Sequence, residues 1–360
     1  MSFLDTHIIY FFIIIFSTIC IWLSEHIYCS NLLICFIGKK YNISLYKNIF
    51  LFLALMILII PLIFRTCGAD TNVYYYEYSN DKINDFDSSF SYLLMFIHQY
   101  ISDPQIGLGV ISAFTVVISV FSLSRLRENI SFTLAFIAYV TCVYFYSYNY
   151  MRMLFALSFV FWGYSLCIEE KWKTAAVPFA IAPLFHLSTI VVFIIHIALM
   201  IFGKYRVVLL LLAIIALVSF LQNPFYLFSL IDIERYTDNV SLLIESSELG
   251  VGTIFRAIPI LFIFCLYYNQ YREDKRFIWL LSFAVANIIF SFLGYYVGVA
   301  SRISNCILVF HVLYATPLFI KTDKSKTRNN LLCLLFVIYC FITYYTISGN
   351  FETMGIVPYY

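Results

Sequence analysis

One pattern limits this chain more than any other: apolar stretches of about 12–20 residues, each closed by a short polar turn, recur from one end to the other. No water-soluble core of this size needs such a pattern, since 62% of the 360 residues are hydrophobic and 12% are charged. A chain so apolar folds where water is scarce, and there every backbone N–H and C=O must find a partner within the protein. Helices meet that demand segment by segment. The sequence therefore predicts an all-α fold, a polytopic transmembrane helical bundle forming a single integral membrane domain over 1–360. Spans are expected near 8–28, 49–64, 106–123, 131–148, 153–168, 174–185, 187–202, 207–222, 254–270, 277–293, 303–320 and 331–347, about twelve in all.

Three segments depart from the pattern. Residues 90–101 are apolar but too short to cross, and are expected to lie at the interface, making 65–105 an outer loop with an interfacial helix. Residues 174–185 are short as well, and predict either a tight hairpin with the next span or a re-entrant half-helix that opens near His186. The longest polar interruption, 222–253, begins with the apolar run Phe225 to Ile233 and carries Asp232, Glu234, Arg235, Tyr236 and Asp238. It predicts a large outer loop or lid resting on the membrane.

Orientation follows from the basic residues, which collect in cytoplasmic loops. Sixteen of the 22 Lys and Arg residues fall in alternate loops around Lys39 to Lys47, Arg125 and Arg127, Lys171 and Lys173, Lys204 and Arg206, Arg272 to Arg276, and Lys321 to Arg328. Both termini are then expected outside, in a multi-pass membrane protein. The other six are Arg65, Lys82, Arg152, Arg235, Arg256 and Arg302. Arginines on the side where positive charge is disfavoured, beside or within apolar segments, need a reason to be there. One reading is snorkelling to headgroups. The other is an anionic ligand, because a guanidinium offers a rigid fork that fits phosphate or carboxylate oxygens.

Arg65 opens the stretch Arg65-Thr-Cys-Gly68-Ala-Asp70-Thr71-Asn-Val-Tyr74. Gly68 permits a sharp turn after a helix end, and Asp70 or Thr71 can cap a new helix whose first N–H groups attract an anion. Arg152 begins a span, where a cation opposes the helix dipole and a bound anion would relieve it. His186 sits at a predicted outer turn, as a structural residue or a catalytic one. The tyrosines 74–78 and 144–150 read as an aromatic belt, or as surfaces for sugar rings. His196 and His311, inside spans without acidic neighbours, read as packing residues.

Other chemistries find no foothold. There is no P-loop, no nucleophile-elbow serine motif, no zincin motif and no dinucleotide fingerprint in the sequence. The ten cysteines are dispersed and describe neither a zinc site nor a disulfide framework. The carboxylates Asp81, Asp85 and Asp87 lack the spacing of a calcium loop, so no metal is assigned. A net charge of +2 gives no footprint for nucleic acid.

With these residues in view, the chain resembles the EpsG family of bacterial exopolysaccharide proteins, related in role to the Wzy-type polymerases of O-antigen and capsule. The resemblance rests on Arg65-x-x-Gly68-x-Asp70-Thr71-x-x-Tyr74, Arg152-x-x-x-Ala156, Phe185-His186-x-Ser188, Arg235-Tyr236 and the terminal Pro358-Tyr359. It implies a glycosyltransferase that polymerises polyprenyl-diphosphate-linked oligosaccharide repeat units on the outer face of the membrane. It implies no cofactor and no metal, and as partners the lipid bilayer, the lipid-linked oligosaccharide, a flippase and a chain-length regulator. Arg152, His186 and Asp70 are the expected catalytic residues, with His186 or Asp70 as general base. Arg65, Arg235, Arg256 and Arg302 are expected to bind the diphosphate, and Tyr74 and Tyr236 to contact sugar. A flippase of the same lipid-linked oligosaccharide, or a membrane O-acyltransferase, remain the alternative readings.

Overall fold

The computed structural model describes residues 3–29, 43–65, 68, 70–79, 88–201, 251–293, 314–322 and 325–349. Among these residues the fold is all-helical: α1 (Phe3–Cys29), α2 (Ile43–Ile63), α3 (Thr71–Ser79), α4 (Ser88–His98), α5 (Pro104–Ser124), α6 (Phe132–Cys142), α7 (Met151–Ile168), α8 (Trp172–Phe185), α9 (Ile190–Ile201), α10 (Val251–Tyr271), α11 (Lys275–Leu293), α12 (Thr316–Thr322) and α13 (Lys326–Ser348). Four of these carry stretches long and apolar enough to cross a membrane: Thr6–His26, Pro104–Ser124, Met151–Ile168 and Lys326–Ser348. The expected span at 207–222, the expected lid up to residue 250, Lys82, Arg235, Tyr236, Arg302 and His311 lie outside the described residues.

Helix α5 shows how such a sequence packs. Its outward side carries Ile106, Phe114 and Phe121, each more than half exposed, a surface suited to lipid. Its buried side carries Ser112, Thr115, Ser119 and Ser122. Each hydroxyl donates to the carbonyl four residues back, at 2.6–3.1 Å, so small polar residues let α5 approach its neighbours without leaving polar atoms unsatisfied. Phe11, Phe12 and Phe16 on α1, Phe52 on α2 and Leu331, Leu334 and Ile342 on α13 extend the apolar exterior. The described chain is thus built as a membrane protein.

Two expected spans take a different form. Residues 131–148 are not one helix: α6 ends at Cys142, Val143 leaves the helical region at φ −128°, ψ −48°, and Tyr144–Tyr148 forms a 3-10 turn. The break is tolerated because protein groups fill the backbone and hydroxyl valences, as when the Tyr144 hydroxyl donates to Leu58 O at 2.7 Å. The 174–185 stretch is the 14-residue helix α8, with Pro178 and Pro183 inside it. At 1.5 Å per residue it extends about 21 Å, short of the ~30 Å hydrocarbon layer. A 3-10 turn at Leu187–Thr189 reverses it into the 12-residue α9, which packs against it. His186 stands at the turn of this helix pair.

Among the described residues the basic loops gather at one end. Arg127 donates to Ser24 Oγ at 3.3 Å and Ser24 Oγ donates to Lys47 O at 3.0 Å. Lys321 donates to the carbonyls of Arg127 and Ile130. Arg125 pairs with Glu169, and Arg276 reaches Glu170 at 4.0 Å. Glu25, near the end of α1, caps another helix: its carboxylate accepts from the backbone N–H groups of Phe132 at 3.1 Å and Thr133 at 2.8 Å, and from the Thr133 hydroxyl. It takes the place of a local cap, since Ser131 makes no side-chain cap bond.

Candidate functional site

At the other end, the turn after α2 is folded against the 3-10 segment that precedes α7. Gly68 stands at φ +114°, and a Cβ there would lie 2.2 Å from Tyr148 O and 2.5 Å from Thr71 Oγ1. Only glycine allows both the left-handed backbone and the close approach. The contact is then closed by hydrogen bonds. Asp70 N–H donates to Asn149 Oδ1 at 2.9 Å, Thr71 Oγ1 donates to Tyr148 O at 3.2 Å, and the Arg65 guanidinium donates to Ser147 O. The irregular 144–149 segment thus turns its carbonyls to the 65–71 turn, which a continuous helix would have kept for itself.

From this turn α3 runs with Thr71, Tyr74, Glu77 and Tyr78 buried, a spacing of three and four that lays one face against α5 and α7. The Tyr78 hydroxyl donates to Ile101 O at 2.6 Å. A Cβ on Gly107 would meet that hydroxyl at 2.2 Å, so this glycine leaves room for the docked ring. Tyr74 packs its ring against Phe90 (centroids 6.2 Å apart) and brings its hydroxyl to the start of α7, where it hydrogen-bonds with the Arg152 backbone. Burial pushes the Tyr74 phenol up to about 12, opposed by the Arg152 charge and reinforced by that of Asp70. At ordinary pH Tyr74 is therefore neutral, and caps the helix whose own cap residue, Tyr150, supplies no side-chain bond.

Arg65, Asp70, Tyr74 and Arg152 are thereby collected from segments some 80 residues apart (|i−j| is 79 for the Asp70–Asn149 bond). Arg65 is 3% exposed, while Asp70 and Arg152 are half-buried. His186 stands next to Phe185, whose ring lies 4.9 Å from Phe155 and 5.7 Å from Phe159, one and two turns into α7 from Arg152. It is half-buried, with extended backbone (φ −153°, ψ 106°) at the α8 terminus. Arg256 lies near the start of α10.

Chemically, this is a cationic, partly dry cluster that includes Asp70 and has an aromatic floor, suited to holding an anion beside a group that accepts a proton. Asn149, which is 6% exposed, has no expected role in the sequence. Its signal is weak, because an Asn two residues before a helix reads as a helix start. The tyrosine cluster also differs from a simple belt: Tyr144, Phe145 and Tyr148 are fully buried around Tyr10, and of the 74–78 group Tyr76 alone is largely exposed. These rings are core before they are surface.

The family model for EpsG matches residues 48–360, most of the chain and all of the cluster. No curated protein and no solved structure matches it significantly.

Proposed function

The chain belongs to the EpsG family, and on that footing we propose that it polymerises polyprenyl-diphosphate-linked oligosaccharide repeat units into a surface polysaccharide at the outer face of the bacterial cytoplasmic membrane. The supporting observation is the convergence of Arg65, Asp70, Tyr74 and Arg152 at the end of the bundle opposite the basic loops. A glycosyl donor with a diphosphate leaving group needs cations on that side. In this reading the membrane has about twelve spans with both termini outside, and the 222–253 segment covers the site.

The reaction joins two lipid-linked sugars. A hydroxyl oxygen of the incoming repeat forms a bond to the anomeric carbon of the growing chain, the bond from that carbon to the diphosphate oxygen breaks, and its electron pair leaves with polyprenyl diphosphate. Arg152, with Arg235 or Arg302, stabilises the charge on that leaving group, and Arg256 adds to the same field. The hydroxyl proton passes to Asp70, whose backbone is fixed by Asn149 and which shares the electrostatic surroundings of Tyr74 with Arg152. His186, one ring contact away, is the other candidate base. Tyr74, whose hydroxyl meets the Arg152 backbone, and Tyr236 are the residues proposed to contact sugar. A flippase and a chain-length regulator are the expected partners.

The test is deletion of the gene in its host, complementation with wild type, Arg152→Ala, Asp70→Asn or His186→Ala at matched membrane abundance, and sizing of lipid-linked and surface glycans. Single repeat units on the outer leaflet without long polymer, in the deletion and with Arg152→Ala, are expected. Units confined to the cytoplasmic leaflet would make the protein a flippase. Normal polymer lacking acyl groups would make it an O-acyltransferase.

A further inference from the structure

At the basic end, the turn between α7 and α8 and the start of α11 enclose a cavity of about 490 Å³, lined by Glu170, Lys171, Trp172, Lys173, Lys275 and Trp279. The turn is held open by Glu170, which adopts φ +63°. Its N–H donates to Cys167 O at 3.0 Å while Lys171 N–H donates to Leu166 O at 2.8 Å, the paired bonds of a Schellman ending. This sends Trp172 and Lys173 straight to the cavity rim.

Trp279 is the informative residue. It is 3% exposed, yet its indole N–H has no hydrogen-bond partner among the described residues. The ring cannot swing towards water, because Tyr164 (4.5 Å), Phe283 (4.8 Å) and Trp172 (5.6 Å) surround it. An indole nitrogen only donates, so its missing partner is an acceptor. The charges around the cavity point the same way. Glu169 neutralises Lys171 at 2.8 Å and Arg276 stands 4.0 Å from Glu170, whereas Lys173 and Lys275 have no ion pair among the described residues. Leu199 and Met200 add an apolar wall.

We infer that this cavity binds the phosphate headgroup of an anionic phospholipid in the leaflet that meets the basic loops, with Lys173, Lys275 and the Trp279 N–H as donors and Leu199 and Met200 against its apolar part. A phosphate-bearing amphiphile matches a pocket that is cationic on one side, apolar on the other and set at the membrane surface. The inference is independent of the polymerase reading, since it concerns the opposite end of the bundle.

The experiment uses the full chain with Trp22→Phe and Trp162→Phe, so that Trp172 and Trp279 report, in nanodiscs with graded brominated phosphatidylglycerol or brominated phosphatidylcholine. Half-maximal quenching is expected at a mole fraction at least about tenfold lower for the anionic lipid, a difference of ~1.4 kcal/mol. The exposed pair Lys173→Gln and Lys275→Gln should erase that preference, while Lys326→Gln with Arg328→Gln, at the same end but outside the cavity, should keep it. Equal quenching by both lipids overturns the inference, as does loss of preference with either pair, which would show only diffuse charge. Relief of quenching by millimolar pyrophosphate, dependent on Lys173 and Lys275, would show that the site also takes soluble phosphate; no relief ties it to the lipid.

Discussion

At the basic end Arg125 grips the Glu169 carboxylate through contacts of 2.9 and 3.3 Å, Lys171 adds a third at 2.8 Å, and Arg276 holds Asp274 at 2.8 Å. At the far end Arg65 donates to the carbonyl of Ser147, and the Arg152 backbone is met by a neutral tyrosine. A carboxylate partner offsets a guanidinium's charge, whereas the Ser147 carbonyl at Arg65 and the Tyr74 phenol at the Arg152 backbone fix where these residues stand. Arg125 and Arg276 thus tie loops through carboxylates, whereas Arg65 and Arg152 belong to the fitting of the turn after α2 against the start of α7, although all four sit at or near helix ends in a chain that is mostly apolar.

Arg152→Ala tests that contrast most severely. At matched membrane abundance it should reduce polymer output by about 100-fold or more, the usual cost of losing one preorganised charge-stabilising donor. Arg125→Ala should leave output within a few-fold of wild type. Equal loss from both, measured by glycan sizing, would erase the distinction between the two ends. Gly68→Ala comes next: the left-handed backbone and the 2.2 Å approach to Tyr148 O should make it cost about 1–3 kcal/mol, read as a lower detergent-resistant melting temperature together with loss of polymer. Asn149→Ala should cost roughly 1 kcal/mol and lower polymer output more than stability, because it unfastens Asp70; a variant with full output would remove Asp70 from the chemistry.

The smallest effect lies at the basic end and depends on pH. Burial pushes the Glu169 carboxyl up, but hydrogen bonds from Arg125 and Lys171 outweigh it and hold the group below its ordinary range. The contribution of Glu169 is therefore complete above the ordinary carboxylate pKa and fades as pH falls through the depressed folded value. Glu169→Gln should flatten the acid limb of the melting-temperature profile, removing about 1 kcal/mol or less of stability, since the pair is partly solvated. Polymer output near neutral pH should not change.

Much of this organisation can be read directly from the chain. Six clusters of Lys and Arg in alternate loops predicted that Lys47, Arg125, Lys171, Arg276 and Lys321 share one end, and the contacts around Ser24, Glu169 and Glu170 bring them together. The turn at Gly68 and the proximity of Asp70 and Tyr74 were legible as well, because helix stops and caps are local. The break at Val143 was not, since residues 131–148 are mostly apolar and aromatic, and hydropathy cannot tell a helix from a helix followed by a 3-10 turn. Nor was Asn149, whose partner is 79 positions away.

The sequence by itself determined the solvent of this protein and the sorting of its charges, because both follow from the cost of placing polar groups in lipid, which each segment meets alone. Only the tertiary structure decided which carboxylates Arg125 and Arg276 meet, which tyrosines are core, and that Asn149, Ser147 and Tyr148 seat the turn after α2. Those outcomes depend on which backbone carbonyls a 3-10 segment leaves available and which distant donors reach them. They are set by packing between helices, and no single stretch of sequence contains both partners.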